Sequence, residues 1–272
     1  LKKNKPKICI FGAGRVGGTL LSSLNRNTYK VDVLIKKGVN KSEYSASNNF
    51  IEFSEFVKKI NSYDIIILSV PDTKIESAVK QICNNIQRVN KKIIVLHTSG
   101  TISYNVFQPL GEKGFIIGSL HPYFSFYKVR KDVKIDEIRF SLSCAKRDLS
   151  FISSKLSKIG IKPVFLNDNL KTPYHISAVL VSNFSAMLIR IAFDLLLKAG
   201  FGEKDAEDFI FSLLNSTLNN LNNFGIRNTI TGPAIRRDKK ILKLHKEYLG
   251  RSDRTLMRFY SYASNLISEI YR

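Results

Sequence analysis

"KICIFGAGRVGG", residues 7–18, sets a short apolar run directly before the pattern G-x-G-x-x-G. In such a loop Gly12 permits a tight turn, Gly14 lets the main chain come close to a bound group, and Gly17 lets the following helix pack on the strand. Ala13, Arg15 and Val16 fill the positions between them. The helix that starts here offers unpaired N–H groups and a positive dipole end, which together suit a phosphate. A glycine loop alone is a weak signal. Its weight comes from order: strand, loop, helix and a second strand, "VDVLI" (31–35), follow one another within the ~30 residues that a dinucleotide-binding unit needs.

The alternation continues outward from that unit. "YDIIILSV" (63–70), "KIIVLHTSG" (92–100), "FIIGSLHP" (115–122), "IRFSLS" (138–143) and "KPVFL" (162–166) are short, rich in β-branched residues and closed by turn residues, as strands are. A helix over 148–159 lies among them. Strands alternating with helices predict an α/β fold, a Rossmann-like doubly wound parallel sheet. After "NDNLKTP" (167–173) the strand signal ends. Apolar periodicity then predicts helices over 172–199, 203–223, 236–249 and 252–271, punctuated by Gly200, Gly202, Gly225, Gly232–Pro233 and Gly250. The chain reads as an α/β domain over 1–168 and a smaller all-helical domain over 169–272.

An acid about 20 positions beyond the glycines would bind the ribose 2′-hydroxyl of NAD. Here "VLI" is followed by Lys36 and Lys37. Two ammonium groups suit the 2′-phosphate of NADP and leave NAD without its acceptor, so NADP is the predicted cofactor. The alternative is that the two lysines only solvate a strand end. Asp32 stands too early on its strand to serve the ribose. Ser69, Val70, Pro71 and Asp72 follow one strand, and Thr98, Ser99 and Gly100 follow another. Both groups occupy carboxyl-end loops, where open α/β sheets bind ligands. His121 is placed likewise, with Pro122 expected to stop its strand.

Charge and cysteine content narrow the partners. Forty-three Lys and Arg against 22 Asp and Glu give a formal charge of +21, but 29 of those bases are Lys, spread along a chain that also holds 21 Asn. That is a compositional bias rather than a basic stripe, and no nucleic-acid recognition motif accompanies it. Cys9, Cys83 and Cys144 are isolated, so neither a disulfide framework nor a metal site is predicted. The apolar run behind the basic start is too short for a signal peptide. The apolar stretch 176–199 is interrupted by Asn183, Arg190 and Asp194, unlike a membrane span. These features predict a cytoplasmic protein with no membrane partner.

The ordered set "FGAGRVGG", "SVPD", "HTSG", "SLHPYFSF", "YHISAVLVSNF" and "TGPAIRRD" resembles an uncharacterised bacterial family of oxidoreductase-like proteins. There a Rossmann-like NADP-binding domain precedes a helical domain of unknown function. That family falls in the 6-phosphogluconate dehydrogenase-like superfamily and is related to pyrroline-5-carboxylate reductase and the deazaflavin-dependent NADP reductases. The resemblance spans nearly the whole chain. It implies an NADP site on the glycine loop and on loops 69–72 and 98–100, and a helical domain that pairs subunits into a homodimer. It brings no defined substrate. The family's "TGP" motif usually runs on into Arg-Gly-Asp, whereas this chain has Arg237 between Arg236 and Asp238.

On a regular helix His175, Val179, Ser182, Asn183 and Ala186 share one face. Several dehydrogenases of the superfamily carry there a proton-transferring lysine four residues before an asparagine. Asn183 matches the asparagine, but Val179 stands where the lysine would be. The proton role then falls to His175 or His121, since imidazole titrates near neutrality, with Asn183 and Ser182 orienting the substrate. The other reading is that these histidines only satisfy a core. Thr231, Arg236 and Asp238 either grip an anionic substrate through the planar guanidinium or merely cap a helix. Arg190 and Asp194 are an i,i+4 pair.

The sum is an NADP-dependent oxidoreductase, a reductase of a small carbonyl or imine substrate bound between the two domains. The alternative is a non-catalytic NADP-binding sensor or scaffold, for which the missing lysine is the main argument.

Overall fold

The computed structural model describes residues 5–26, 29–35 and 49–270. Lys36 and Lys37, on which the choice of NADP over NAD rests, lie outside the described residues. The chain divides into two compact units, Leu1–Ser185 and Ala186–Arg272. The change of sequence character at 168 therefore falls inside the first unit.

The strands of the first unit are β1 (Ile8–Phe11), β2 (Val31–Leu34), β3 (Asn49–Ile51), β4 (Ile65–Leu68), β5 (Ile94–His97), β6 (Ile116–Tyr123), β7 (Arg139–Cys144) and β8 (Val164–Phe165). They form one sheet in the order β3-β2-β1-β4-β5-β6-β7-β8. Every neighbouring pair is parallel except β6 and β7. The first six in that order give the Rossmann arrangement, as expected, with the sheet extended at one edge. Its helices are α1 (Arg15–Arg26), α2 (Phe53–Lys59), α3 (Asp72–Asn85), α4 (Gln108–Glu112), α5 (Leu149–Ser157) and α6 (Lys171–Val179).

Side chains alternate across a strand, and this sheet buries both sets. Ile8, Ile10, Ile65, Ile67, Ile94 and Leu96 enter one core, while Cys9, Ile66, Leu68 and Val95 enter the other. Asp32 belongs to neither. Its carboxylate accepts from Tyr63 Oη (2.6 Å) and Asn49 Nδ2 (2.8 Å) and lies 3.8 Å from Lys59 Nζ, pinning β2 to β3 and α2.

Two expectations need correction. β6 runs through Pro122 to Tyr123 rather than stopping before it. The reason is one-sided pairing: the β5 ladder ends at Ser119, so beyond it β6 has only β7 as a neighbour, and a residue lacking an N–H is tolerated at such an edge. His121 thus sits inside a strand, directly across from Ser141. The second correction concerns the helix expected over 172–199. A wide π turn, Leu180–Phe184, separates α6 from α7 (Ser185–Lys198). Regular helical spacing from His175 to Ser182 and Asn183 fails there, because a π turn closes i to i+5.

The second unit is helical, as predicted: the greater part of α7, then α8 (Glu203–Phe224), α9 (Lys239–Ser252) and α10 (Arg254–Ile270). The helical run Asp168–Lys198 is long and apolar enough to cross a membrane by length and composition, despite its polar residues. Within it Arg190 Nε donates to Asp194 Oδ1 at 3.0 Å. In α8 the only buried residue is Ala206, while Phe209, Phe211, Leu213 and Phe224 are more than half exposed.

The "TGPAIRRD" loop is built as a helix entrance. The Asp238 carboxylate accepts from the Ile241 N–H at 3.1 Å and caps α9, and Ser268 Oγ donates to the Ala234 carbonyl at 3.0 Å. Arg237 holds φ at 55°, in the left-handed region that glycine favours. A side chain there costs roughly 1–2 kcal/mol, part of which a glycine returns by loosening the unfolded chain. Arg237→Gly is therefore expected to raise unfolding stability by about 0.5–1 kcal/mol in urea titrations, and Arg237→Val to lower it. A lower midpoint for the glycine variant would contradict this account of the loop.

Candidate functional site

The glycine loop closes on protein on one side and stays open on the other. Gly12 has φ +100°, and a Cβ there would lie 2.5 Å from the Ser69 carbonyl oxygen. A Cβ on Gly17 would lie 2.0 Å from the Gly12 oxygen. Main-chain bonds from Gly12 N to the Leu34 oxygen (2.9 Å) and from Ser69 N to the Phe11 oxygen (2.8 Å) hold the loops in this contact. Gly14 is different: a Cβ there would meet nothing within 4 Å. It is the exposed point beside the start of α1, whose first turn has no acidic side chain and begins with exposed Arg15. A phosphate approaching Gly14 would find helix N–H groups and no carboxylate from that turn opposing it.

The loop after β5 is held from two sides. Asp72, first residue of α3, accepts from Ser99 Oγ at 2.7 Å and Thr101 Oγ1 at 3.2 Å. Ser99 Oγ in turn accepts from the main-chain N–H groups of Thr101 and Ile102. From the other side Lys171, only 3% exposed, donates to the Ile102 carbonyl and lies 3.6 Å from Asp168 Oδ1. Burial pushes the Lys171 ammonium down from its ordinary range, with Asp168 and Asp72 opposing that shift.

Three histidines surround this loop. His97, the last residue of β5, is completely buried; its Nδ1 accepts from the Ser99 N–H at 3.3 Å and its ring meets Phe107 edge-on at 5.1 Å. Burial, reinforced by Lys171, pushes its pKa down to about 3. His121 Nδ1 lies 2.9 Å from the Tyr174 hydroxyl, and its ring centroid is 6.0 Å from that of His175. Burial, then His175 and Lys171, push His121 down to about 4. His121 is therefore a neutral imidazole at pH 7, not the near-neutral titrating group that an unperturbed histidine would be. His121 and His175 both close on Gly100, where a Cβ would lie 2.8 Å from His121 Nε2 and 2.9 Å from His175 Nδ1. That His175 nitrogen is buried and has no hydrogen-bond partner.

The sequence-derived residues are thus partly gathered. Gly12, Gly17 and Ser69 interlock, while Asp72, Ser99, Gly100, His121 and His175 form one contiguous cluster in the first unit. Val70, too, borders Gly12, its Cγ1 standing 3.1 Å from where a Cβ would lie. The Asp72 carboxylate is committed to the β5 loop. Ser182 and Asn183 lie on the π turn, and among the described residues no side-chain hydrogen bond joins them to either histidine. Thr231 and Arg236 are exposed in the second unit's loop, where Asp238 performs capping. His97, Lys171, Tyr174 and Ser141 escaped the sequence reading. His97 heads the quoted "HTSG", but nothing in a single sequence tells a completely buried strand-end histidine from an exposed one.

Residues 1–122 match the profile of a Rossmann-like domain, and residues 138–267 match that of the domain of unknown function DUF2520. No curated protein matches the chain in sequence. Solved structures do resemble it. A Bacteroides fragilis protein provisionally classed as an NADP oxidoreductase superposes with a TM-score of 0.77 at 23% identity, over 97% of this chain and 98% of that one. A Streptomyces aurantiacus imine reductase gives 0.66 at 11% identity, over 96% and 95%. Plasmodium falciparum pyrroline carboxylate reductase, solved with NADP bound, gives 0.63 at 14%, over 98% of each chain. At such identities the likeness establishes the fold: a Rossmann-like domain followed by a helical one.

Neutral buried histidines make the fold acid-sensitive. In the unfolded chain His97 and His121 take up protons near pH 6.5; in the fold they do so only near 3 and 4. Between those limits the unfolded chain binds more protons, so their contribution is complete above about pH 6.5 and is lost as pH falls. Urea midpoints measured from roughly pH 7 down to about pH 5 are expected to drop, and to drop less steeply in His97→Gln. Equal slopes in the two proteins would show that His97 is not held neutral.

Proposed function

We propose, on the premise that the chain belongs to the proteins joining a Rossmann-like domain to a DUF2520 domain, that it is an NADP-dependent oxidoreductase reducing a small carbonyl or imine compound. The observation that carries this reading is the juxtaposition along one edge of the sheet. An open anion-binding glycine sits at the end of β1, and two histidines close on a second glycine at the end of β5. Gly14, Arg15 and the N–H groups of α1 would hold the cofactor diphosphate, with Ala13 and Val16 completing the turn. The loops 69–72 and 98–100 would flank the rest, and Lys36 and Lys37 would meet the 2′-phosphate. Bound NADPH supplies the hydride. The chain's own task is to hold the acceptor carbon near it and to hydrogen-bond the attached oxygen or nitrogen, for which neutral His121 is the best-placed group. His175 backs His121, and Ser182 and Asn183 orient the substrate. Arg236 would attract an anionic substrate, and Thr231, in the same loop, would contact it. The relatives' NADP, pyrroline carboxylate and imine chemistry supports this assignment.

A non-catalytic NADP-binding sensor is the second reading. It is favoured by Val179 and by Lys171, whose ammonium is committed to Ile102 and Asp168.

The exposed helices suit a homodimer. A 22-residue helix with one fully buried residue has little tertiary packing of its own to stabilise it, and a second copy would cover its exposed Phe and Leu side chains. A bilayer is the poorer partner, because Arg190 and Asp194 would have to enter hydrocarbon. This favours a cytoplasmic setting without membrane attachment.

Fluorescence titration with NADPH and NADH separates these readings. NADPH is expected to bind at least ~10-fold more tightly, and His121→Ala to keep that affinity while lowering turnover of an oxo-acid, aldehyde and cyclic-imine panel by on the order of 10²-fold. Equal affinities would overturn NADP selectivity. Tight binding with no NADPH consumption across the panel would favour the sensor. Light scattering is expected to give twice the chain's mass, and a lone chain's mass after Leu213→Glu in α8; a monomeric wild type would remove the dimer.

A further inference from the structure

We propose that Tyr174 is a positioning residue that locks His121 in the tautomer protonated on Nε2, giving the site a fixed hydrogen-bond donor for the oxygen or nitrogen lone pair of an uncharged carbonyl or imine substrate. The use made of this donor rests on the reductase reading above; the lock itself does not.

The Tyr174 hydroxyl lies 2.9 Å from His121 Nδ1. A phenol is a better donor than acceptor, and an imidazole nitrogen lone pair is a good acceptor, so the proton of this bond belongs on tyrosine. The partner of one ring nitrogen sets the state of the other. Nδ1 as acceptor therefore puts the imidazole proton on Nε2. Ser141 strengthens the arrangement: it sits opposite His121 in the β6–β7 ladder, is buried, and interacts with the Tyr174 phenol. The turn carrying Tyr174 is fixed as well. Ser177 Oγ donates to the Tyr174 carbonyl at 2.6 Å, and Tyr123 packs its ring 5.4 Å from that of Tyr174. At the far side of the imidazole, Nε2 borders the empty β position of Gly100. A side chain there would press on this nitrogen, and glycine leaves it clear on the side of the β5 loop.

The surroundings keep the ring uncharged. His175 and Lys171 face it from α6 and His97 from β5, with Asp72 of α3 as the opposing charge. A neutral Nε2–H donor can serve a carbonyl oxygen or an imine nitrogen. It has nothing to offer a preformed iminium, whose nitrogen has no lone pair. The site is accordingly matched to uncharged acceptors, and N-alkylated iminium compounds are its poor substrates.

Nitrogen-15 NMR of the labelled full chain, without cofactor, reads the lock directly. The His121 resonances are identified by their loss in His121→Gln. At pH 7 the expected pattern is an unprotonated Nδ1 and a protonated Nε2, collapsing to a tautomer mixture in Tyr174→Phe. A proton on Nδ1 in the wild type, or an unchanged pattern in the phenylalanine variant, would overturn the proposal. Should Tyr174→Phe fail to fold, the wild-type pattern still decides it, and Ser141→Ala is expected to weaken the preference. If NADPH is turned over, Tyr174→Phe is further expected to lower kcat/KM for uncharged substrates by about 10-fold, with NADPH affinity unchanged. A correct tautomer in a protein that never consumes NADPH would refute the reductase reading and leave the lock standing.

Discussion

At three points along the carboxyl edge of the sheet the chain has no room for a β-carbon, and the site is arranged around those points. Gly17 presses on the Gly12 carbonyl, Gly12 presses on Ser69, and Gly100 lies under two imidazoles. The first two contacts are backbone against backbone, which cannot give way as a flexible side chain can. They fix where α1 begins relative to β1 and β4, and so fix the direction of its N–H groups. The third contact links the loop after β5 to β6 and α6. The glycine loop and a pair of histidines are brought to one edge by the same device: a missing side chain where two segments must touch.

Charge is managed differently inside and outside. The chain carries a formal charge of +21, and water screens charges at a protein surface. Lys171 is the one lysine among the buried described residues. Removing an ammonium from water costs several kcal/mol, and here an ion pair with Asp168 and a bond to the Ile102 carbonyl offset that cost. The buried cation then acts on its neighbours. It opposes protonation of His97 and His121, so the group that anchors the loop also helps keep the histidines neutral. A neutral imidazole in such a site is a hydrogen-bond donor or acceptor rather than a store of positive charge.

The sheet was legible because its signals are local. β-branched runs, glycine spacing and the order of elements all act within a few dozen residues, and each strand from β4 to β7 lies where its apolar run predicts. What escaped depends on neighbours distant in sequence. Pro122 looks like a strand terminator until β5 is seen to end at Ser119, leaving β6 paired on one side only. Asp32 stands too early on its strand for the expected ribose position, and its bonds to Tyr63 and Asn49 could not be read in advance. Val179 marks a missing lysine, whereas Lys171 reaches the β5 loop from a different turn of the helical run. Tyr174 adjoins His175 in sequence yet acts on His121. A motif search ranks residues by type and spacing, and a tautomer lock is defined by a tyrosine 53 positions from its histidine.

The helical region shows a further limit of periodicity. An apolar stripe tells that a face must be covered, not what covers it, and α8 leaves Phe209, Phe211, Leu213, Leu218 and Phe224 about half exposed or more. The π turn adds to this. Inserting one residue into a turn rotates every later side chain by about 100° about the helix axis, so the face carrying His175 in α6 is not continued by the α-helical spacing that Ser182, Asn183 and Ala186 would require. Wide turns of this kind recur at functional positions. Ile176, Leu180, Val181 and Phe184 are all about half exposed or more around it, so a polar pair is carried on an apolar, solvent-facing segment. A segment with that composition is held in water only at a cost. Covering the apolar residues while leaving Ser182 and Asn183 a polar neighbour requires a protein surface that supplies both, which a hydrocarbon layer cannot do.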